Sequence, residues 1–166
     1  MKVNAKKNYL YIFICVLFFG VALRFFVMSF GFNFDFESYC IVGDIVVRMR
    51  NVYSETGRYN YAPIFSLIQG ILYWISSFSP NRIDTYRVLI VILLTGVDLG
   101  ITYFILQKYG VFKACFFFLN PVSIIITGFH NQFDNIAILL MLIAFSFINE
   151  KKEWNRSCLL YTSRCV

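Results

Sequence analysis

Charge is scarce in this sequence: 14% of its 166 residues are Asp, Glu, Lys or Arg, against roughly 25% in soluble domains. A chain so poor in charge is not read as a water-soluble domain, a disordered segment or a coiled coil. Paired cysteines are lacking too. Cys15 and Cys115 lie inside apolar runs, Cys40 has no near neighbour and there is no Cys-x-x-Cys, so neither a disulfide framework nor a zinc site follows. No internal repeat or low-complexity segment is visible. What fills the chain is apolar: 59% hydrophobic and 20% aromatic residues and a mean hydropathy of +0.67, the signature of a chain surrounded by lipid.

Fifteen Lys and Arg against nine Asp and Glu leave a net charge of +6. The cations cluster at the ends of apolar runs, which is the pattern of membrane topology and not of a nucleic-acid footprint. No nucleic-acid partner is expected.

Tyr9 to Met28 is twenty residues with one charge, Arg24, enough to cross a hydrocarbon core of about 30 Å. Lys2, Lys6 and Lys7 before it put the N-terminus in the cytoplasm, and the long apolar run reads as a retained anchor, not a cleaved signal. Ser29 to Tyr61 is polar and turn-rich and reads as an outer loop. Further apolar runs cover Ala62 to Phe78, Val88 to Leu106, Val111 to Thr127 with Asn120-Pro121 inside it, and Phe133 to Ile148. Two topologies fit: either Ala62 to Phe78 lies in the interface within an outer loop 29–87, or it spans and Val111 to Thr127 is re-entrant. The first is favoured, because residues 29–87 balance five Arg with five acids and the other cations then fall inside. The expected fold is all-α and polytopic, with about four spans and an interfacial helix in the first outer loop. The expected place is a bacterial plasma membrane.

Two polar constellations interrupt the apolar pattern. In Asn33-Phe-Asp35-Phe-Glu37-Ser38-Tyr39, two carboxylates sit where the chain leaves the bilayer, a place for a general base acting on an incoming hydroxyl. The structural alternative is that Asp35 caps the following helix. The second, Asn120-Pro121 through Thr127-Gly128-Phe129-His130-Asn131-Gln132-Phe133-Asp134-Asn135, gathers the single histidine, an acid and several amides between apolar runs. Polar groups at that depth need partners; Asp134 or Asn135 capping the last helix is again the alternative. Asp98 and Arg24 are ionisable groups within spans. Such groups mark function by default, but they also pair with one another or with loop cations, and Arg24 is near enough to the outer interface to snorkel.

The order of these features resembles the start of a GT-C glycosyltransferase, the polytopic class that takes sugars from polyprenyl-linked donors. The likeness rests on Asp35-Phe-Glu-Ser-Tyr39, Tyr59-Asn-Tyr-Ala-Pro63 opening an apolar segment, and Asn120-Pro121 leading to Gly128-Phe-His-Asn-Gln-Phe-Asp134-Asn135. The last block is similar to the His-x-Gln-Tyr-Asn motif of lipid-linked oligosaccharide glucosyltransferases, with Phe133-Asp134 in place of Tyr-Asn. The resemblance as a whole covers about residues 10 to 148. The resemblance implies inverting transfer of a hexose, such as mannose, from a polyprenyl-phosphate donor to a glycan or lipid-linked acceptor. It gives Asp35 the role of base, with Glu37 the near alternative. His130 and Gln132 would contact phosphate or sugar, with Asp134, Asn135 and Arg58 as further substrate contacts. It implies no cofactor; a divalent metal would need more acids than His130 and Asp134 supply.

A transporter or lipid-translocating protein, with Asp98, Asp134 and His130 along a polar pathway, is the alternative, and a small membrane scaffold is a third. The end of the chain changes character: Cys158-Leu-Leu-Tyr-Thr-Ser-Arg-Cys-Val166 can be spelled by a sequencing-library transposon end joined to its reverse complement. Residues 158–166 are therefore expected to be an assembly scar, and 1–157 the N-terminal part of a longer GT-C-like transmembrane domain.

Overall fold

Membrane-length helices arise where apolar side chains run on without a breaker, because each backbone amide is then satisfied within its own segment. The computed structural model describes residues 2–148, so the expected junction at 158–166 lies outside the described residues. Helices and no strands are present among them. Helix α1 (Lys2–Met28) and helix α5 (Arg82–Tyr109) are long and apolar enough to cross a membrane, each holding an 18-residue stretch of high mean hydropathy, 2.5 in α1 and 2.3 in α5. Gly110 ends α5 with φ 90°, a conformation that favours glycine.

Helix α6 (Val111–Phe118) and the segment Pro121–His130 form a third candidate, bent by 44° at the break. The kink has a local cause. Pro121 opens helix α7 (Pro121–Ile125) at its first turn, where the missing N–H costs nothing, and the Asn120 side chain accepts from Val122 N at 2.9 Å. The chain continues as a single π turn (Ile126–His130) and stops at Asn131, whose φ of 57° is left-handed. The last element is helix α8 (Asp134–Ile148). Two or three candidate spans thus stand where four were expected.

Within the expected outer loop 29–87, the stretch Ser29 to Tyr61 that reads as turn-rich holds two helices, and the apolar run Ala62 to Phe78 holds a third. Helix α2 (Phe34–Val47) starts at Asn33, whose Oδ1 accepts from Phe36 N, and carries Asp35 and Glu37 in its first turn, where they complement the helix dipole. Asp35 is therefore not the cap. Helix α3 (Val52–Glu55) is one turn, and helix α4 (Pro63–Ser76) begins at Pro63. At 14 residues α4 reaches about 21 Å, short of a hydrocarbon core. Its burial pattern is inverted: Ser66, Gln69 and Ser76 are buried while Ile64, Leu67, Ile71 and Trp74 are exposed.

Helices α2 and α4 touch through glycines. A Cβ on Gly43 would lie 2.7 Å from Tyr73 Cβ, and one on Gly70 would lie 2.3 Å from Val46 Cγ1. The core of this unit joins Phe36, Tyr39, Val42, Phe65 and Tyr86, and Phe133 from the start of α8 plugs into it. The Phe133 ring meets Phe65 at 4.0 Å and Tyr39 at 4.9 Å between centroids, both edge-on. Phe133, expected as the first residue of a span, is thus a core residue at the junction of two regions.

Inside the bundle Arg24 is fully buried and does not snorkel. Its Nη2 lies 2.9 Å from Asp98 Oδ2 and its Nε 3.2 Å from the same oxygen, while Nη1 donates to the carbonyls of Gly20 and Phe118 at 3.0 and 3.2 Å. The guanidinium also lies over the Phe118 ring, 4.2 Å from its centre. Of the fates open to these residues on sequence grounds, mutual pairing is the one found.

Candidate functional site

The site is built where the first residues of α2 meet the end of the π turn. Asn33 is its hinge. Because its Oδ1 is committed to the Phe36 N–H, the amide nitrogen must face the other way, and it lies 3.0 Å from Asp35 Oδ2 and 3.0 Å from His130 Nδ1. An NH2 group has two hydrogens to give and no lone pair to offer, so Nδ1 of His130 is the acceptor. The imidazole assigned by this network is neutral, with its hydrogen on Nε2. That leaves Nε2–H as a donor for another molecule. Gln132 Nε2 donates to Asp35 Oδ2 at 3.3 Å, so residues 97 positions apart in sequence converge on one carboxylate.

Only Oδ2 of Asp35 receives side-chain hydrogen bonds among the described residues, and no cation pairs with it. Asp35, Asn33, His130 and Gln132 are all half-buried. The arrangement is a fixed carboxylate with one oxygen open, beside a neutral imidazole donor. It can take a proton from a hydroxyl and hydrogen-bond an anionic or polyhydroxyl group.

Burial alternates through the second constellation. Asn131 (0%), Phe133 (3%) and Asn135 (8%) are buried, whereas His130 and Gln132 are half-buried and Asp134 is exposed. The even positions present chemistry and the odd ones anchor it. Asn131 Nδ2 turns back onto Thr127 O at 2.8 Å, and Asn135 Nδ2 donates to Leu94 O at 3.1 Å and Asp98 Oδ1 at 3.0 Å. Asn135 therefore faces the buried ion pair, away from Asp35, and it does not cap α8.

Glu37 and Arg58 form their own group. They lie 3.9 Å apart, both exposed, with the Arg58 guanidinium 4.2 Å from the centre of the Phe34 ring. Residues two apart on a helix point about 200° apart, which is why Glu37 is turned from the oxygen that Gln132 and Asn33 hold. Asp134 and Asp35 both act on Tyr39 and Tyr61. Burial first, then the neighbouring Tyr61 and the negative charges of Asp35 and Asp134, push the Tyr39 phenol above its ordinary range. Tyr61 is raised by burial, Asp134 and Asp35. Both phenols stay protonated beside the site.

Asn33 and the Tyr39–Tyr61 pair are the members that sequence reasoning missed as site residues. Asn33 stood in the quoted Asn33-x-Asp35 run, and the signal was its place just before a helix, where an amide caps with one end and leaves the other free. Among the described residues no group of three or more His, Cys, Asp or Glu is placed to hold a metal ion. No family model, curated protein or solved structure matches this chain.

Proposed function

We propose that this chain is part of a GT-C-type membrane glycosyltransferase that moves a hexose from a polyprenyl-phosphate donor to a glycan or lipid-linked acceptor on the outer face of a cell membrane. The observation that carries the reading is the Asp35 carboxylate held by Asn33 and Gln132 beside the Nε2–H of His130. Two helices long and apolar enough to cross a membrane support the reading.

In the proposed reaction Asp35 accepts the proton of the acceptor hydroxyl through its open oxygen. The freed oxygen attacks the anomeric carbon, the new glycosidic bond forms on one face, and the bond to phosphate breaks on the other. The electron pair leaves with polyprenyl phosphate, and configuration inverts. Charge builds on the departing phosphate, so donors aimed at it lower the barrier most; His130 Nε2–H and the second amide hydrogen of Gln132 are the candidates. Arg58, exposed over Phe34, is a further cation for the donor, and Glu37 balances it when the site is empty. Phospholipid contacts are expected along the exposed apolar face of α4.

The test is turnover of labelled polyprenyl-phosphate hexose by membranes carrying the intact protein. Asp35→Asn is expected to lower transfer by about 10²–10⁴-fold, the usual worth of a general base, with the protein still in the membrane. Unchanged turnover would overturn the assignment.

A further inference from the structure

The carboxylate of Asp98 is bonded more completely than that of Asp35. Arg24 Nε and Nη2, Ser123 Oγ at 3.1 Å and Thr127 Oγ1 at 2.8 Å all reach Oδ2, and Asn135 Nδ2 reaches Oδ1. Arg24 Nη2 donates also to Ser123 Oγ at 3.0 Å, so the serine passes the bond on to the carboxylate. These donors come from α1, α7, the π turn and α8, and the acceptor from α5. One buried carboxylate thus ties together the π turn and α8, the two elements that flank residues 131–133, and joins both to α1 and α7.

Two of the contacts set the π turn directly. The Thr127 hydroxyl fixes it from the α5 side, and on the α1 side Gly128 packs so closely that a Cβ would lie 2.6 Å from the carbonyl oxygen of Arg24. His130 is three residues beyond Thr127, and Asp134 and Gln132 lie between Thr127 and Asn135. π turns are rare and occur mostly as single turns within helices, frequently at functional sites; here Thr127, inside the turn, donates to the Asp98 carboxylate, and Gly128 packs on the backbone of Arg24.

We infer that the Arg24–Asp98 pair is a positioning device that holds the π turn in the register at which His130 and Gln132 meet Asn33 and Asp35. The role in transfer rests on the reading of the site as a glycosyltransferase; the role in geometry does not. Asp98 touches no substrate. It acts through Thr127 and Asn135, and the register of His130 is what it controls.

The experiment therefore reads geometry and turnover separately, in the intact protein with its native cysteines replaced. Asn33→Cys with His130→Cys makes a pair that a short bis-methanethiosulfonate reagent bridges, and Arg50→Cys with Glu55→Cys, whose parent side chains are 3.0 Å apart, makes a reference pair remote from Asp98. Adding Asp98→Asn is expected to slow bridging of 33 to 130 about tenfold, as an uncompensated buried arginine forces the turn to shift, and to leave 50 to 55 unchanged. With Asn33 and His130 in place, Asp98→Asn is expected to lower turnover about 100-fold, the scale of a misplacement near 1 Å. Thr127→Val, which removes one hydroxyl, is the gentler variant and decides the matter should the asparagine variant not accumulate; slower bridging of 33 to 130 supports the inference. Equal bridging rates with and without the Asp98 or Thr127 change, or equal slowing of both pairs, would overturn it. Selective slowing of the 33 to 130 bridge, together with no transfer by the protein that keeps Asn33, His130 and Asp98, would overturn the glycosyltransferase reading and leave the positioning role standing.

Discussion

Asp35 and Asp98 are both carboxylates bonded to amides from the same short loop, and they differ in what is left over. Asp98 is 1% exposed, paired with an arginine that is itself fully buried, and bonded on both oxygens. Asp35 is half-buried, pairs with no cation among the described residues and is held on one oxygen by two neutral amides. A charge inside a lipid-facing bundle persists only when its partners replace water, so full satisfaction marks Asp98 as architecture. The open oxygen at the loop marks Asp35 as the group still able to exchange a proton. The polar pathway of the transporter alternative would run through Asp98, and it would first have to break this ion pair.

The strongest way to break the comparison is to remove one member of the pair. Arg24→Met leaves the Asp98 charge buried without its partner and is expected to destabilise the protein by about 3–5 kcal/mol, seen as a large fall in the thermal midpoint in detergent. Arg24→Met with Asp98→Leu removes both charges and should recover most of that loss. Asp35→Asn should shift the same midpoint by no more than about 0.5 kcal/mol, as expected for a half-exposed site with no ion pair. Equal losses at Asp35 and Asp98 would erase the distinction between the two acids.

Next in size is Gly128→Ala. Its Cβ would sit 2.6 Å from a backbone oxygen of α1, an atom unable to swing aside as a side-chain tip does, and overpacking of this kind costs about 1–3 kcal/mol. Gly43→Ala, against Tyr73 Cβ, should cost a similar amount in the α2–α4 unit. The two variants then separate functions: the first is expected to reduce transfer more than stability alone accounts for, the second only in proportion to lost protein. Denaturant midpoints measured beside turnover make the check.

These contrasts also show how far the sequence was readable. The long helices were legible because α1 and α5 are uninterrupted apolar runs, and the kink was announced by Asn120-Pro121. His130, Gln132 and Asp35 were legible as site candidates because polar residues crowded between apolar runs need a reason. Of the α2–α4 unit, α4 was legible as the apolar run Ala62 to Phe78, and α2 and its packing were not. Its acids Asp35, Glu37 and Asp44 give it the look of a solvated loop, and the burial of Tyr39 and Phe65 depends on glycine contacts between segments remote in sequence. The pairing of Arg24 with Asp98 was legible only as one option among several: Arg24 lies close enough to the end of α1 to snorkel, and nothing local selects a partner 74 residues away. Asn135 looked like its neighbours, and only the alternation of burial separates the anchors from the groups that face Asp35.

Asn33 gives a smaller effect with sharper content, because it serves structure and site through different atoms. Asn33→Ala loses the cap and should cost about 1 kcal/mol. Asn33→Asp keeps an oxygen to accept from Phe36 N–H and so should keep most of the helix stability, but it removes both donated hydrogens and sets a second negative charge beside Asp35. Transfer is expected to fall in both variants, and to fall further in Asn33→Asp despite its better stability. A thermal midpoint that tracks turnover across the two would show that Asn33 acts through the helix alone.

The smallest effect is expected where neither acid is involved. Helix α2 ends with Met49 at φ 55°, where Met49 N bonds Val46 O at 2.9 Å and Arg50 N bonds Ile45 O at 3.1 Å. This closing pattern favours glycine in the left-handed position, and a side chain there costs about 1 kcal/mol or more. Met49 is 93% exposed, so little packing offsets that strain. Met49→Gly is expected to raise stability by up to about 1 kcal/mol with turnover unchanged. A gain of stability in α2 that left transfer untouched would show that the unit tolerates tightening at its far end. A fall in transfer would mean instead that the orientation of α2, and with it Asp35, is set from Met49 as well as from Asn33, and the site would then be less sharply separated from its scaffold than the contrast with Asp98 implies.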